Sequence, residues 1–331
     1  MPSRMKFLLN GYSGYATIGG HDMLMTSFSV SMNENVLPSQ GAAKLVEQLS
    51  DGGVEFRRLD LNAVRDYHGY DISITVDATY DILVYMLGRI TGRFNSFVPV
   101  EFHDNASKIH YSFENCCMTS VSLSVSLNSA ASLSMSFTAF DDEFVIEYMD
   151  GGYNVRAGRN APSQFVGNVL LPYWAFGVQA LDASGNGYRL PDGLKDVSLN
   201  WQCAVTPKFG CHGVPNTNAP APSKVVFAKP SVNYELSYVV ADEKHWYNHQ
   251  YDSDEVAISG MTVLLRFYEQ TVIDNMHTLT RSVDVAMTDC YHEKFTPQYA
   301  NKDEVNTIGI SGVMHGKMTY DASSVTELTI G

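Results

Sequence analysis

Residues Thr119 to Leu127 read Thr-Ser-Val-Ser-Leu-Ser-Val-Ser-Leu. A β-strand sends successive side chains to opposite faces. This period of two therefore predicts a strand with Val121, Leu123, Val125 and Leu127 on one face and Ser120, Ser122, Ser124 and Ser126 on the other. Ser132 to Phe140 repeats the pattern, and Asn128, Ser129 and Ala130 between the two runs predict a short antiparallel hairpin. Working outward, alternation recurs over Thr26–Met32, Tyr70–Val76, Val98–Phe102, Lys108–Phe113, Val197–Val205, Val225–Ala228, Val232–Val240, Met261–Tyr268, Leu279–Met287 and Thr307–Met314. The expected fold class is mainly β, with half-buried sheets.

Helical patterning is sparse. Gly41 to Leu49, after Pro38, predicts two helical turns, and Ala78 to Ile90 predicts the main helix. Asp77 is the expected N-cap and Gly92 lies just past the expected end. Ile82, Leu83, Met86, Leu87 and Ile90 recur at helical spacing, as a helix packed on a sheet requires.

The two halves of the chain also align with each other. Phe28–Met32 matches Val197–Trp201 at an offset of 169, and Val98 and Phe102 match Val263 and Phe267 at 165. Ile109, Ser112 and Phe113 match Leu279, Ser282 and Val283 at 170, and Leu133, Met135 and Ser136 match Ile308, Ile310 and Ser311 at 175. Four matches in one order predict a tandem duplication. Met149 to Asn168 is rich in Gly and Asn and has no period, so it is the expected linker. The predicted domains are 1–148 and 169–331, joined by linker 149–168. Asp242 to Tyr251 fills the helical slot of the second copy, and Thr206 to Ser223 is a long loop with Pro207, Pro215, Pro220 and Pro222.

Composition narrows the function. The 331 residues carry 22 basic and 36 acidic side chains, a net charge of −14. Specific or nonspecific DNA binders release counterions with clustered Lys and Arg, and no stretch here has more than two adjacent basic residues. No apolar run approaches the roughly 20 residues of a membrane-spanning helix, so a soluble chain without membrane insertion is expected. Five cysteines, with no CxxC spacing, predict unpaired thiols in a reducing compartment. Nucleotide-binding glycine motifs and the nucleophile elbow are absent. His245 and His249 have helical metal spacing without the Glu of a zinc-protease motif, and Asp141, Asp142 and Glu143 read as a solvated turn. No enzyme, cofactor or metal is expected.

The order of elements resembles the tail-tube fold of tailed bacteriophages, shared with inner tubes of contractile injection systems. It runs from a Ser-rich alternating strand through a long loop with Pro38 and the strand Tyr70–Val76 to the helix Ala78–Ile90, and then to strands ending in a Ser/Thr-rich hairpin. The resemblance implies two tandem tube-like β-sandwich or barrel domains, each with a short packing helix. It implies a virion structural protein of the tail, assembled in the host cytoplasm, whose rings stack into a DNA-ejection conduit. Three copies would make a homotrimer with pseudo-sixfold symmetry, with DNA only as passing cargo and other tail or baseplate proteins as further partners. Apolar residues Val121 to Leu127 would pack under the helix, and Ser120, Ser122, Ser124 and Ser126 would face lumen or solvent. Loop residues Pro38, Pro207, Pro215 and Pro220 would reach other subunits. Alternatives are a baseplate hub or tail adaptor and, in a different class, a carbohydrate-binding module or adhesin using Trp246 and Tyr247.

Overall fold

The computed structural model describes residues 14–37, 44–48, 54–58, 64–104, 109–140, 145–148, 170–171, 176–181, 187–188, 193–208, 222, 224–239, 260–273, 276–298 and 306–330. The fold is mainly β, with one α-helix among the described residues. In the first half the strands are β1 (Gly14–Ile18), β2 (His21–Leu37), β3 (Lys44–Gln48), β4 (Val54–Arg58), β5 (Val64–Asp77), β6 (Val98–Asp104), β7 (Ile109–Ser126), β8 (Ser132–Ala139) and β9 (Val145–Tyr148), with α1 (Tyr80–Gly92) between β5 and β6. The second half has β10 (Phe176–Leu181), β11 (Gly187–Tyr188), β12 (Leu194–Gln202), β13 (Val205–Lys208), β14 (Lys224–Phe227), β15 (Ser231–Val239), β16 (Met261–Ile273), β17 (Met276–Gln298), β18 (Thr307–Met314) and β19 (Met318–Ile330).

Pairing in the order β7-β6-β1-β2-β5-β8 returns to β7 and closes a six-stranded barrel. Closure matters because every backbone N–H and C=O in a strand must find a partner. Alternation fills the barrel: Ile72, Ile74, Val100, Phe113, Leu133, Met135 and Phe137 are all buried. α1 covers the apolar row of β7, with Leu83, Met86 and Ile90 around Val121 and Leu123. Its N-cap is Thr79 rather than Asp77; the Thr79 hydroxyl accepts from the Ile82 N–H. Gly92 is the last helical residue, not the one beyond. Leu127 leaves the apolar row: it sits in the turn after β7 and is 47% exposed.

Two expectations need correction. Lys44–Gln48, within the stretch Gly41–Leu49 expected to be helical, is a strand paired antiparallel with Val54–Arg58. Here pairing overrides helix propensity, which is worth only tenths of a kcal/mol per residue. Pro207 lies in β13 opposite Val225 of β14, so it belongs to a two-stranded ribbon and not to an irregular loop. Pro38, Pro215 and Pro220 lie outside the described residues, as do 149–168 and Asp242–Tyr251.

The pairing plan of the second half repeats that of the first. β10, β12, β15, β16, β17, β18 and β19 make the same antiparallel partnerships as β1, β2, β5, β6, β7, β8 and β9: β12–β15, β15–β18, β18–β17, β17–β16, β16–β10 and β17–β19. β10 pairs antiparallel with β11 as β1 pairs with the start of β2. Even the irregularities recur. The β2–β5 bulge at Met25/Ser27 matches Leu194/Asp196. The β7–β8 bulge at Met118/Ser120 matches His292/Lys294, and the β6–β7 bulge at Val98/Val100 matches Met261/Val263. Bulges locally bend and twist a strand and are positional features of a fold.

Side chains fit the same superposition. Cys116 and Cys290 take equivalent places, each buried and each donating its thiol to the carbonyl three residues earlier. Ile72 opposite Phe137 becomes Tyr234 opposite Gly312. The bulky partner has changed strand. A Cβ added at Gly312 would lie 2.3 Å from the Tyr234 ring and 2.5 Å from the Tyr291 carbonyl. Tyr234 is fully buried and its hydroxyl has no hydrogen-bond partner.

Gly312→Ala is therefore expected to cost about 1–3 kcal/mol through overpacking. Adding Tyr234→Ile removes the ring contact but leaves the Tyr291 carbonyl, so the Tyr234→Ile/Gly312→Ala chain recovers only part of it. Urea denaturation of the single and double variants checks this. Equal stability of wild type and Gly312→Ala would contradict the packing.

Candidate functional site

The closed barrel of the first half and the matching sheet of the second half share one joint. β2 and β7 are long strands that run past the closed part of the barrel, and the overhang of β7 pairs with β12. Its register sets Ser120, Ser122, Ser124 and Ser126 against Gln202, Asn200, Ser198 and Asp196. The intervening residues Val121, Leu123 and Val125 meet Trp201, Leu199 and Val197. The apolar row is buried and capped by α1, with Phe94 edge-on to Trp201 at 6.1 Å between ring centroids. The serines are half-buried or, at Ser126, exposed. All four candidate serines thus lie on one face, at the seam between the halves.

That face is larger than the four serines. It crosses eight strands in the order β2-β5-β8-β7-β12-β15-β18-β17. One cross-strand row reads Ser29, Ser73, Ser136, Ser120, Gln202 and Ser231, and the next reads Ser27, Thr75, Ser134, Ser122, Asn200 and Asn233. Hydroxyls link neighbours: Ser124 Oγ lies 2.7 Å from Ser132 Oγ, and Thr75 Oγ1 lies 3.1 Å from Ser134 Oγ. Charged residues on the flanking rows of this face are Asp71, Asp77, Asp196 and Glu235, with Lys294 at the far edge. The face is polar and slightly acidic, with little to hold a phosphate.

Two stretches of strand edge stay unpaired among the described residues. Ser27–Asn33 of β2 pairs only with β5, because β1 covers β2 only from His21 to Leu24. Lys294–Gln298 of β17 pairs only with β18. By the internal repeat, these are the counterparts of Asp196–Gln202 in β12 and Ser120–Ser124 in β7, the two edges that form the seam. Ser27–Asn33 contains no charge and no Pro, the devices that protect solvent-exposed edges.

An ion cluster ties the halves together beside the seam. Arg281 of β17 donates from Nε and one terminal nitrogen to both oxygens of Glu269, at 2.6 Å each. Its other terminal nitrogen reaches Asp81 of α1 at 2.9 Å, and the guanidinium lies 4.0 Å from the Tyr80 ring centroid. Glu269 is buried and needs this fork; Asp81 is 60% exposed and does not.

On the outside of the first barrel, away from Phe102 and Tyr111 in its core, Tyr15, His103 and His110 form a row across β1, β6 and β7. Tyr15 stacks on His103 at 4.4 Å, and His103 on His110 at 4.3 Å. Glu101 Oε2 lies 3.3 Å from His103 Nε2 and 3.4 Å from His110 Nε2. Burial, with His110 nearby, pushes the His103 imidazole down to about 4 against the pull of Glu101. The ring is neutral at neutral pH. Sequence reading missed this cluster because its members are unremarkable until strand pairing sets His103 opposite His110.

The remaining candidates among the described residues do not form a site. Cys116, Cys117, Cys203 and Cys290 are buried thiols; burial pushes the Cys117 and Cys290 thiols up to about 12. Cys211, His245, His249, Trp246, Tyr247 and Asp141–Glu143 lie outside the described residues. No helix of the described residues is long and apolar enough to cross a membrane. Among known proteins, no family model matches the chain and no curated protein is detectably similar in sequence.

Arg281→Ala is expected to lower stability by about 1–3 kcal/mol, because it leaves the buried Glu269 carboxylate without its charged partner and with the Thr280 hydroxyl as its remaining side-chain donor among the described residues. Asp81→Ala removes a partly solvated pair and costs under about 1 kcal/mol. Chemical denaturation of both variants checks the ranking, and the reverse order would contradict it.

Proposed function

We propose that the chain is a ring-forming structural protein of a bacteriophage tail, a tube subunit whose stacked rings make a conduit for DNA. The observation that carries this reading is the seam. Two repeats within one chain join edge to edge, and the matching edges are left over at the chain's two extremes. A joint between a β7-type edge and a β12-type edge is heterologous: each unit offers one kind to its neighbour and the other kind to the next. Such joints generate closed rings or open filaments. Repeating the seam between copies puts Lys294–Gln298 of one chain antiparallel to Ser29–Asn33 of the next. Transferring the β7–β12 register sets Thr296 opposite Ser31 and Gln298 opposite Ser29. Polar positions then meet polar positions, as they do at the seam.

Three copies, each with two units, would close the ring that the tail-tube resemblance implies. Three eight-strand faces would then form one continuous wall, with α1 on its outer side. A wall of Ser, Asn and Gln with scattered carboxylates suits a conduit. It wets readily and gives passing phosphates few cations to grip. Its chemistry is that of a surface, with no reaction and no bound cofactor.

The test is a Ser31→Cys/Thr296→Cys chain under mild oxidation, followed by non-reducing electrophoresis and negative-stain microscopy. The expected result is a cross-linked ladder ending at a closed trimer, and rings in the images. Rings without cross-links would reject the edge assignment but leave the tube reading standing. Single particles at high concentration, with and without tail initiators, would reject both.

A further inference from the structure

We propose that Glu101, His103 and His110 form a binding site for one divalent transition-metal ion, with Zn²⁺ as the best fit, that clips β6 to β7. Each residue offers one ligand atom, and the three atoms lie within 4.8 Å of one another. Two imidazoles and a carboxylate are a donor set that Zn²⁺ favours. The two carboxylate-to-imidazole distances agree with the ion. Ligand bonds of about 2.0–2.1 Å in a tetrahedron put neighbouring donor atoms about 3.3–3.4 Å apart. Glu101 Oε2 stands 3.3 and 3.4 Å from the two Nε2 atoms.

Two further features favour a ligand over an ordinary hydrogen-bonded cluster. His103 Nε2 is buried and makes no hydrogen bond within the chain despite its closeness to the carboxylate. A buried polar atom in this state is costly unless something else meets it. Tyr15 holds the His103 ring, while the His110 ring, stacked on it at 11° between planes, turns to aim its Nε2 lone pair at a shared ion. Tyr15 stacks on the outer face of His103, and Asp22, fixed by the Thr17 hydroxyl at 2.6 Å, adds negative charge nearby. An extra carboxylate close to the ligands favours a cation. The His110 side chain is 20% exposed, which leaves an approach from solvent and room for the ring to adjust.

The site joins strands on either side of residues 105–108, so a bound ion would act as a cross-link at one end of the barrel. Any ion that binds only the folded chain raises its melting temperature with concentration.

The experiment uses the full chain, stripped with EDTA and dialysed. Zn²⁺ is titrated by calorimetry and Co²⁺ by visible absorption, which reports tetrahedral coordination. The expected result is one equivalent per chain, a rise in melting temperature, and affinity at least about tenfold weaker in Glu101→Gln and His110→Asn. Glu101→Gln is nearly isosteric, and circular dichroism confirms that each variant is folded. A His245→Ala/His249→Ala chain should bind like wild type. The inference is overturned if the wild type binds no ion. It is equally overturned if Glu101→Gln and His110→Asn bind as tightly as wild type, or if only the His245/His249 variant loses binding.

Discussion

The fold depends on one obligation: the backbone groups of a strand that outruns its barrel must be paired. β2 and β7 are too long for the six-stranded closure, so each carries a ladder of N–H and C=O groups beyond it. For β7 the second half of the chain supplies the partner, and β12 completes the ladder over seven residue pairs. α1 then seals the apolar side of this joint, and the Arg281 fork fastens the helix to the second half. The serine face, the seam and the two leftover edges are all consequences of the same overhang.

The repeat is visible in hydrogen bonding far more clearly than in residue identity. Three bulges, seven strand partnerships and a pair of cysteines at the barrel fork recur. Meanwhile the core has been rewritten, with Tyr234 and Gly312 standing where Ile72 and Phe137 stand. Both positions changed, and the large ring moved from the β8 place to the β15 place while the backbone pairing stayed the same. Sequence comparison loses such a relationship early, because the backbone plan survives changes in side-chain identity.

Alternation made much of this legible in the residues themselves. The Ser-Val-Ser-Leu run, the hairpin at Asn128 and the face assignments of Ser120 to Ser126 follow from period two alone. The offsets of 169 and 175 between halves coincide with those fixed by the bulges. The other two do not. The bulges pair Val98 with Met261 rather than Val263, and Ile109 with Val283 rather than Leu279. Both errors are even numbers of residues, two and four. A period of two keeps the correct face under any even shift, so it cannot detect one. The β3–β4 ribbon was hidden because Ala, Leu, Glu and Gln favour a helix locally while pairing decides the outcome. The His103–His110 stack was hidden because it exists only across strands. Likewise, the unpaired edges of β2 and β17 are a property of topology, which no local pattern reports.

The rotational symmetry of the assembled particle, measured in a cryo-electron-microscopy map that resolves strands, is the most direct check. A threefold particle should appear, with six similar lobes around its bore. The internal β7–β12 joint should alternate with a β17–β2 joint of the same geometry, and the serine rows should face inward. A particle in which β2 from Ser27 to Asn33 borders solvent, or in which copies meet through other elements, would contradict the repeated-joint origin of the ring.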